Sequence, residues 1–169
     1  MSARAPGGMA GGQGSAEARG KGVLGWCEWV ALPELGLTAI RAKVDTGART
    51  SCLHVESSET FWRGDAEWVR FQLRPERDAE AVPAEALIVD RRDVTDSSGH
   101  RSLRVFIRTS LVVRGQQYPI ELNLTNRLQM LFPMLLGRTA LIGRWMVDPS
   151  RSFTAPGPGE HVPPSGASG

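Results

Sequence analysis

Asp45-Thr46-Gly47-Ala48 places a carboxylate, a small hydroxyl residue and two positions with almost no side chain directly after the apolar-ended run Leu37-Thr38-Ala39-Ile40-Arg41-Ala42-Lys43-Val44. That order suits a loop in which Gly47 lets the backbone turn sharply, Thr46 locks the turn by hydrogen bonding, and Asp45 is presented from a strand end. A carboxylate so placed can act as general acid or base when a second one faces it. At about 3 Å the two cannot both ionise, so they share a proton. Asp and Gly are also what an ordinary turn uses, and the tetrapeptide alone leaves both readings open. A later segment, Pro133-Met134-Leu135-Leu136-Gly137-Arg138-Thr139-Ala140-Leu141, ends an apolar run in Gly-Arg and follows it with a residue able to cap a short helix.

The elements that must hold these segments read as β. Trp26, Glu28 and Val30 alternate with Cys27, Trp29 and Ala31 and lead through Pro33 and Gly36 into the strand before Asp45, which predicts a hairpin. Further strands are predicted over Glu67–Leu73, Ala86–Val89, Leu103–Arg108, Leu111–Val113 and Tyr118–Leu124, with a bend at Arg114-Gly115-Gln116-Gln117 and one helical turn near Arg138 to Ile142. Gly, Ala, Ser and Pro crowd both ends of the chain, so residues 1–22 and 154–169 are expected to be disordered tails around a folded domain at 23–153. Asn123-Leu124-Thr125 matches a glycosylation acceptor, read here as a chance match on a strand.

Composition narrows the function classes. The 20 basic and 18 acidic residues of the 169-residue chain are interleaved, with a net charge of +2, so no basic stripe is available to track nucleic acid. No apolar run reaches the roughly 20 residues that a membrane helix needs, and the first 22 residues lack the apolar centre of a secretory signal. A cytoplasmic protein is expected, with Cys27 and Cys52 as structural thiols. Neither a GxxxxGK[ST] loop nor a GxGxxG fingerprint is present to cradle phosphates, so no cofactor is expected. A zinc hydrolase needs about three protein ligands, and no HExxH occurs. His54 and His100, joined by Cys52 or distant acids, are the alternative metal candidates, His161 lying in the Pro-rich tail. Trp26, Trp29, Trp62, Trp68 and Trp145 read as core or interface aromatics.

Asp-Thr-Gly-Ala followed, several strands later, by Leu-Leu-Gly-Arg-x-x-Leu resembles the two halves of the retropepsin-like aspartic peptidase motif. Several blocks together, Glu28–Leu37, Ala42–Ser51, Asp96–Arg101, Leu124–Arg127 and Leu135–Leu141, resemble a bacterial retropepsin-like family labelled ATP-dependent zinc protease, some members of which are linked with RimK-type ATP-grasp glutamate ligases. The resemblance implies an all-β, closed-barrel fold with a ψ-shaped crossing. It implies an aspartic endopeptidase with Asp45, Thr46 and Gly47 as catalytic loop, and Ala48, Leu136, Gly137 and Arg138 in support beside Leu135.

One Asp-Thr-Gly per chain implies that the second Asp45 comes from another copy, so a homodimer is expected, with a peptide or protein substrate and a RimK-like ligase as a further partner. The hairpin between Ile88 and Ile107, with Ser97, Ser98, Gly99 and His100 at its tip, is the candidate flap. Its charges, Asp90, Arg91, Arg92, Asp93, Asp96 and Arg101, point to a polar or acidic substrate. Arg49 stands where many retropepsins carry an acid, so Arg138 is not expected to form an ion pair there. Lys43 is basic where viral members are apolar, and either cation, if turned into the cleft, would stabilise ionised Asp45 and oppose proton sharing. The alternatives are a non-catalytic peptide-binding module serving the ligase and a zinc-dependent hydrolase.

Overall fold

The computed structural model describes residues 21–126 and 131–158. Most of the two tails, and Arg127 from the fourth motif block, lie outside the described residues. Eleven strands and two short 3-10 turns make up the regular structure of the described residues: β1 (Gly22–Leu24), β2 (Cys27–Leu32), β3 (Leu37–Val44), β4 (Ser51–His54), β5 (Ser57–Arg63), β6 (Ala66–Leu73), β7 (Val82–Thr95), β8 (Arg101–Val113), β9 (Gln116–Thr125), β10 (Met134–Leu136) and β11 (Trp145–Val147). The 3-10 turns span Pro33–Leu35 and Arg138–Ala140, so the helical turn expected near Arg138 is 3-10 in type.

Period-two patterning drives these strands. In β6, Val69, Phe71 and Leu73 are buried while the intervening residues face outward. The bend between β8 and β9 has φ of 46° at Arg114 and 75° at Gly115, the two left-handed positions of a tight hairpin turn whose twist matches its strands. Expected and observed strands agree for β2, β3, β6 and β9, whereas Ala86–Val89 is only the middle of a 14-residue β7.

The pairing order is β2-β3-β10-β4-β9-β8-β7-β6-β5, and β2 also pairs with β8 at Val30–Val113 and Ala31–Val112. Strands β2, β3, β10, β4, β9 and β8 therefore close into a ring around Leu24, Ile40, Leu53, Leu111, Leu122 and Met134, all fully buried. Strand β10 lies between β3 and β4, parallel to the first and antiparallel to the second, which is the expected ψ-shaped crossing. β5, β6 and the first half of β7 extend the sheet beyond the ring.

The chain past Phe153 packs back on this body. The buried Glu28 carboxylate accepts from the Gly25 and Thr154 amides, and the backbone of Gly157 lies against the Trp29 indole. Trp145 donates its indole N–H to Tyr118 Oη at 2.9 Å, and Tyr118 donates to the Ala140 carbonyl at 2.8 Å, which anchors the 3-10 turn after β10. Tyr118→Phe leaves both partners buried and unsatisfied, and an expected loss of about 1–3 kcal/mol is measurable by urea unfolding.

Candidate active site

Asp45 stands one residue beyond β3, where β10 passes beside it. Its amide donates to the Leu136 carbonyl at 2.8 Å, which continues the parallel β3–β10 pairing into the loop. The side chain then turns back on its own loop: Asp45 Oδ1 accepts from the Gly47 amide at 3.0 Å and the Ala48 amide at 3.2 Å. A Cβ on Gly47 would stand 3.2 Å from that same oxygen, so glycine gives the carboxylate room to sit over the turn. One carboxylate oxygen is thereby held by backbone donors, and the half-buried group faces a cleft.

Gly137 and Arg138 hold the loop from behind. The Gly137 amide donates to Ser51 Oγ at 3.1 Å, the Arg138 amide to the Ala48 carbonyl at 2.8 Å, and the Thr139 amide to the Arg49 carbonyl at 3.0 Å. Arg138 Nη1 donates to the carbonyls of Thr46 and Gly47, both at 3.0 Å. The guanidinium thus acts on the loop backbone. Arg138→Met removes both bonds, and residues 45–48 are expected to open about tenfold more readily to amide hydrogen exchange while circular dichroism shows the ring still folded.

A cleft of about 1030 Å³ runs from this loop to the β7–β8 hairpin. Asp45, Gly47, Ala48, Arg49 and Thr50 form one wall, Arg92 to Ser97 the other, and Arg104, Phe106, Glu121 and Asn123 the floor. The hairpin expected as a flap therefore lines the same cleft as Asp45. Asp96 closes its tip: Oδ1 accepts from the Ser98 and His100 amides at 2.9 and 3.0 Å, and Gly99 has φ of 84°. Ser97 lines the cleft, whereas Ser98, Gly99 and His100 lie on the exposed tip and are not among its lining residues. Arg92 stacks 4.5 Å over the Phe106 ring and pairs with Asp90 and, at 3.3 Å, with Glu121. Arg49 is exposed and lines the cleft; Lys43 is exposed and does not.

Sequence reasoning missed Arg104, Asn123 and Glu121. The signal was present in the alternation of β8 and β9: Arg104 shares parity with the buried Phe106, and Asn123 lies within the buried run Leu122–Leu124. An arginine at an inward strand position marks either an internal ion pair or a cleft.

A metal centre is not assembled. Among the described residues no three His, Cys, Asp or Glu side chains come together as a ligand set, so His54 and His100 do not fit the zinc implied by the family label. Burial holds the His54 imidazole below its ordinary value of 6.5. The unfolded chain then takes up its proton first, so stability complete above about pH 6.5 is lost as pH falls from there toward the folded-state value. His54→Gln is expected to flatten that limb of a plot of unfolding midpoint against pH.

The described residues contain no helix long and apolar enough to cross a membrane. The chain is 43% identical over 132 residues to a protein of Parasynechococcus marenigrum named "Probable alpha-L-glutamate ligase", covering 77% of this chain and 28% of that one. A protein of the same name from Shewanella pealeana is 41% identical over 135 residues, 79% of this chain and 30% of its own. The chain thus spans under a third of the curated relatives it matches. A crystal structure of a Legionella pneumophila protein of unknown function superposes with a TM-score of 0.67 at 28% identity, covering 78% of this chain and 96% of that one. The family model described as "Retropepsin-like aspartic endopeptidase RimB" matches residues 23–158, the span that carries the ψ-crossing, the Asp45 loop and its Arg138 brace, and the chain belongs to this RimB-like, retropepsin-like family.

Proposed function

We propose that the chain is an aspartic endopeptidase that works as a homodimer, with Asp45 of each copy forming one catalytic pair. The observation that carries this reading is the Asp45 loop: a carboxylate held by two backbone amides, braced by Arg138, and open to a cleft that the β7–β8 hairpin also lines. Two such loops meeting across a two-fold axis at about 3 Å share one proton. The ionised carboxylate takes a proton from water as the water oxygen bonds to the scissile carbonyl carbon, and the protonated partner donates to the carbonyl oxygen. The diol then collapses: the ionised carboxylate takes a hydroxyl proton as the carbonyl re-forms, the C–N bond breaks, and the protonated carboxyl gives its proton to the departing amine.

Apolar side chains left exposed around the loop support the pairing. Trp26, whose carbonyl accepts from the Val44 amide, is 42% exposed, and Ile142 at the end of the Arg138 turn is 72% exposed. The exposed arginines of the cleft, Arg49 and Arg92, support a polar or acidic peptide as substrate. The names of the relatives favour a second reading, a peptide-binding module that serves a glutamate ligase with little hydrolysis of its own.

Dilution tests the leading reading. Cleavage of an acidic peptide, followed while the protein is diluted through the dimer dissociation range seen by sedimentation, should fall off with the square of concentration. A chelator should leave the rate unchanged. Specific activity that is constant down to the monomer overturns the shared pair, and binding without cleavage at any concentration selects the module.

A further inference from the structure

Arg104 lies on the inward face of β8, nine-tenths buried, at the floor of the cleft. A guanidinium withdrawn from water ordinarily meets a carboxylate. Asp45, Asp93, Asp96 and Glu121 all line this cleft, yet among the described residues none forms an ion pair with Arg104. Its bonds go to neutral acceptors: Nε to Ser102 Oγ at 3.2 Å, Nη1 to Asn123 Oδ1 at 2.9 Å, and Nη1 to Cys52 Sγ at 3.7 Å.

The bond to Asn123 has a directional consequence, because an amide accepts at one end and donates at the other. With Oδ1 turned to the guanidinium, Nδ2 of the buried Asn123 donates to the Ser51 carbonyl at 3.0 Å and to Thr50 Oγ1 at 3.4 Å. Ser51 Oγ in turn accepts from the Gly137 amide. A flipped Asn123 would set its NH2 against the guanidinium and its oxygen against the Ser51 carbonyl, two repulsions in a buried site. The charge on Arg104 therefore sets the polarity of a relay running from the hairpin strand β8 to the exit of the Asp45 loop.

We infer that Arg104, acting through Asn123, is a positioning residue for Asp45: it fastens strand β8 of the hairpin to Thr50-Ser51 and fixes how the Asp45 loop sits against it. The kinetic consequence rests on the peptidase reading above; the structural one rests on the relay alone. Two variants divide the roles. Arg104→Met removes the charge that orients the amide. Asn123→Asp keeps an acceptor for Arg104, now ionic, but sets an oxygen against Ser51.

Amide hydrogen exchange on the full chain should show residues 46–51 and 137–139 opening about tenfold more readily in both variants, with the β5–β6 hairpin unchanged. In the peptide assay kcat should fall about tenfold with KM within about twofold, the mark of misplaced chemistry rather than lost binding. Unchanged exchange in the loop overturns the inference. So does a uniform rise throughout the protein with a lowered melting temperature, which would make Arg104 an ordinary scaffold residue. Should Arg104→Met fail to fold, Asn123→Asp decides by the same exchange pattern. A wild-type protein that hydrolyses nothing would refute the peptidase reading, and the exchange measurement would still decide the relay.

Discussion

Asp45→Asn is expected to abolish peptide hydrolysis, with a loss in kcat of at least about 10²- to 10⁴-fold, the scale of general acid–base catalysis. An asparagine keeps the shape of the side chain, and its Oδ1 can still accept from the Gly47 and Ala48 amides, so the loop should keep its form. What it cannot do is hold a proton in common with a second carboxylate or take one from water. The melting temperature should stay close to that of the wild type and peptide binding should persist, so the change separates chemistry from recognition. Retention of full activity with Asn at this position would sink the catalytic assignment outright. Mixing wild-type and Asp45→Asn chains adds a stricter test: heterodimers should be inactive, so activity should fall faster than the fraction of wild-type chain.

Gly137→Ala should cost stability and activity together. A Cβ built at Gly137 stands 2.4 Å from the Thr50 carbonyl carbon and 2.5 Å from its oxygen, and the contact is with backbone that no side-chain rotation can relieve. Two chain segments cross here in direct backbone contact, and forcing them apart should cost about 1–3 kcal/mol. The displaced strands carry the Asp45 amide bond to Leu136 and the Arg138 bonds to the loop, so activity should fall with stability. Urea unfolding with parallel kinetics measures both. Insensitivity of both quantities would mean that the crossing is looser than described. Gly64 and Gly143 have positive φ with open space around them, so substitution there strains the local turn without moving the crossing.

Much of this arrangement was legible before any coordinates. Alternation located β2, β3, β6 and β9 because each buries one face, and Asp-Thr-Gly-Ala with Leu-Leu-Gly-Arg identified the two segments that cross. β5 escaped because Ser57–Arg63 lies almost wholly exposed, its polar and aromatic residues following no core-facing period. β10 was legible only through the family resemblance, because its three residues are embedded in a longer apolar run, where periodicity cannot mark an end. The cleft floor was hidden for a different reason. Arg104 and Asn123 belong to strands read for their apolar neighbours, and only the closing of β4 against β9 brings Asn123 to Ser51. Arg138 illustrates a subtler limit: its support of the loop was foreseen, and its targets, two carbonyls, depend on how tightly the turn is wound.

The position of β10 also bears on biosynthesis. A strand inserted between β3 and β4, yet made long after both, keeps a slot in the early sheet unfilled until β10 itself has left the ribosome. Nascent chains therefore carry Asp45 without its brace. On the peptidase reading, the Asp45 loop gains its support only once β10 and Arg138 have been made.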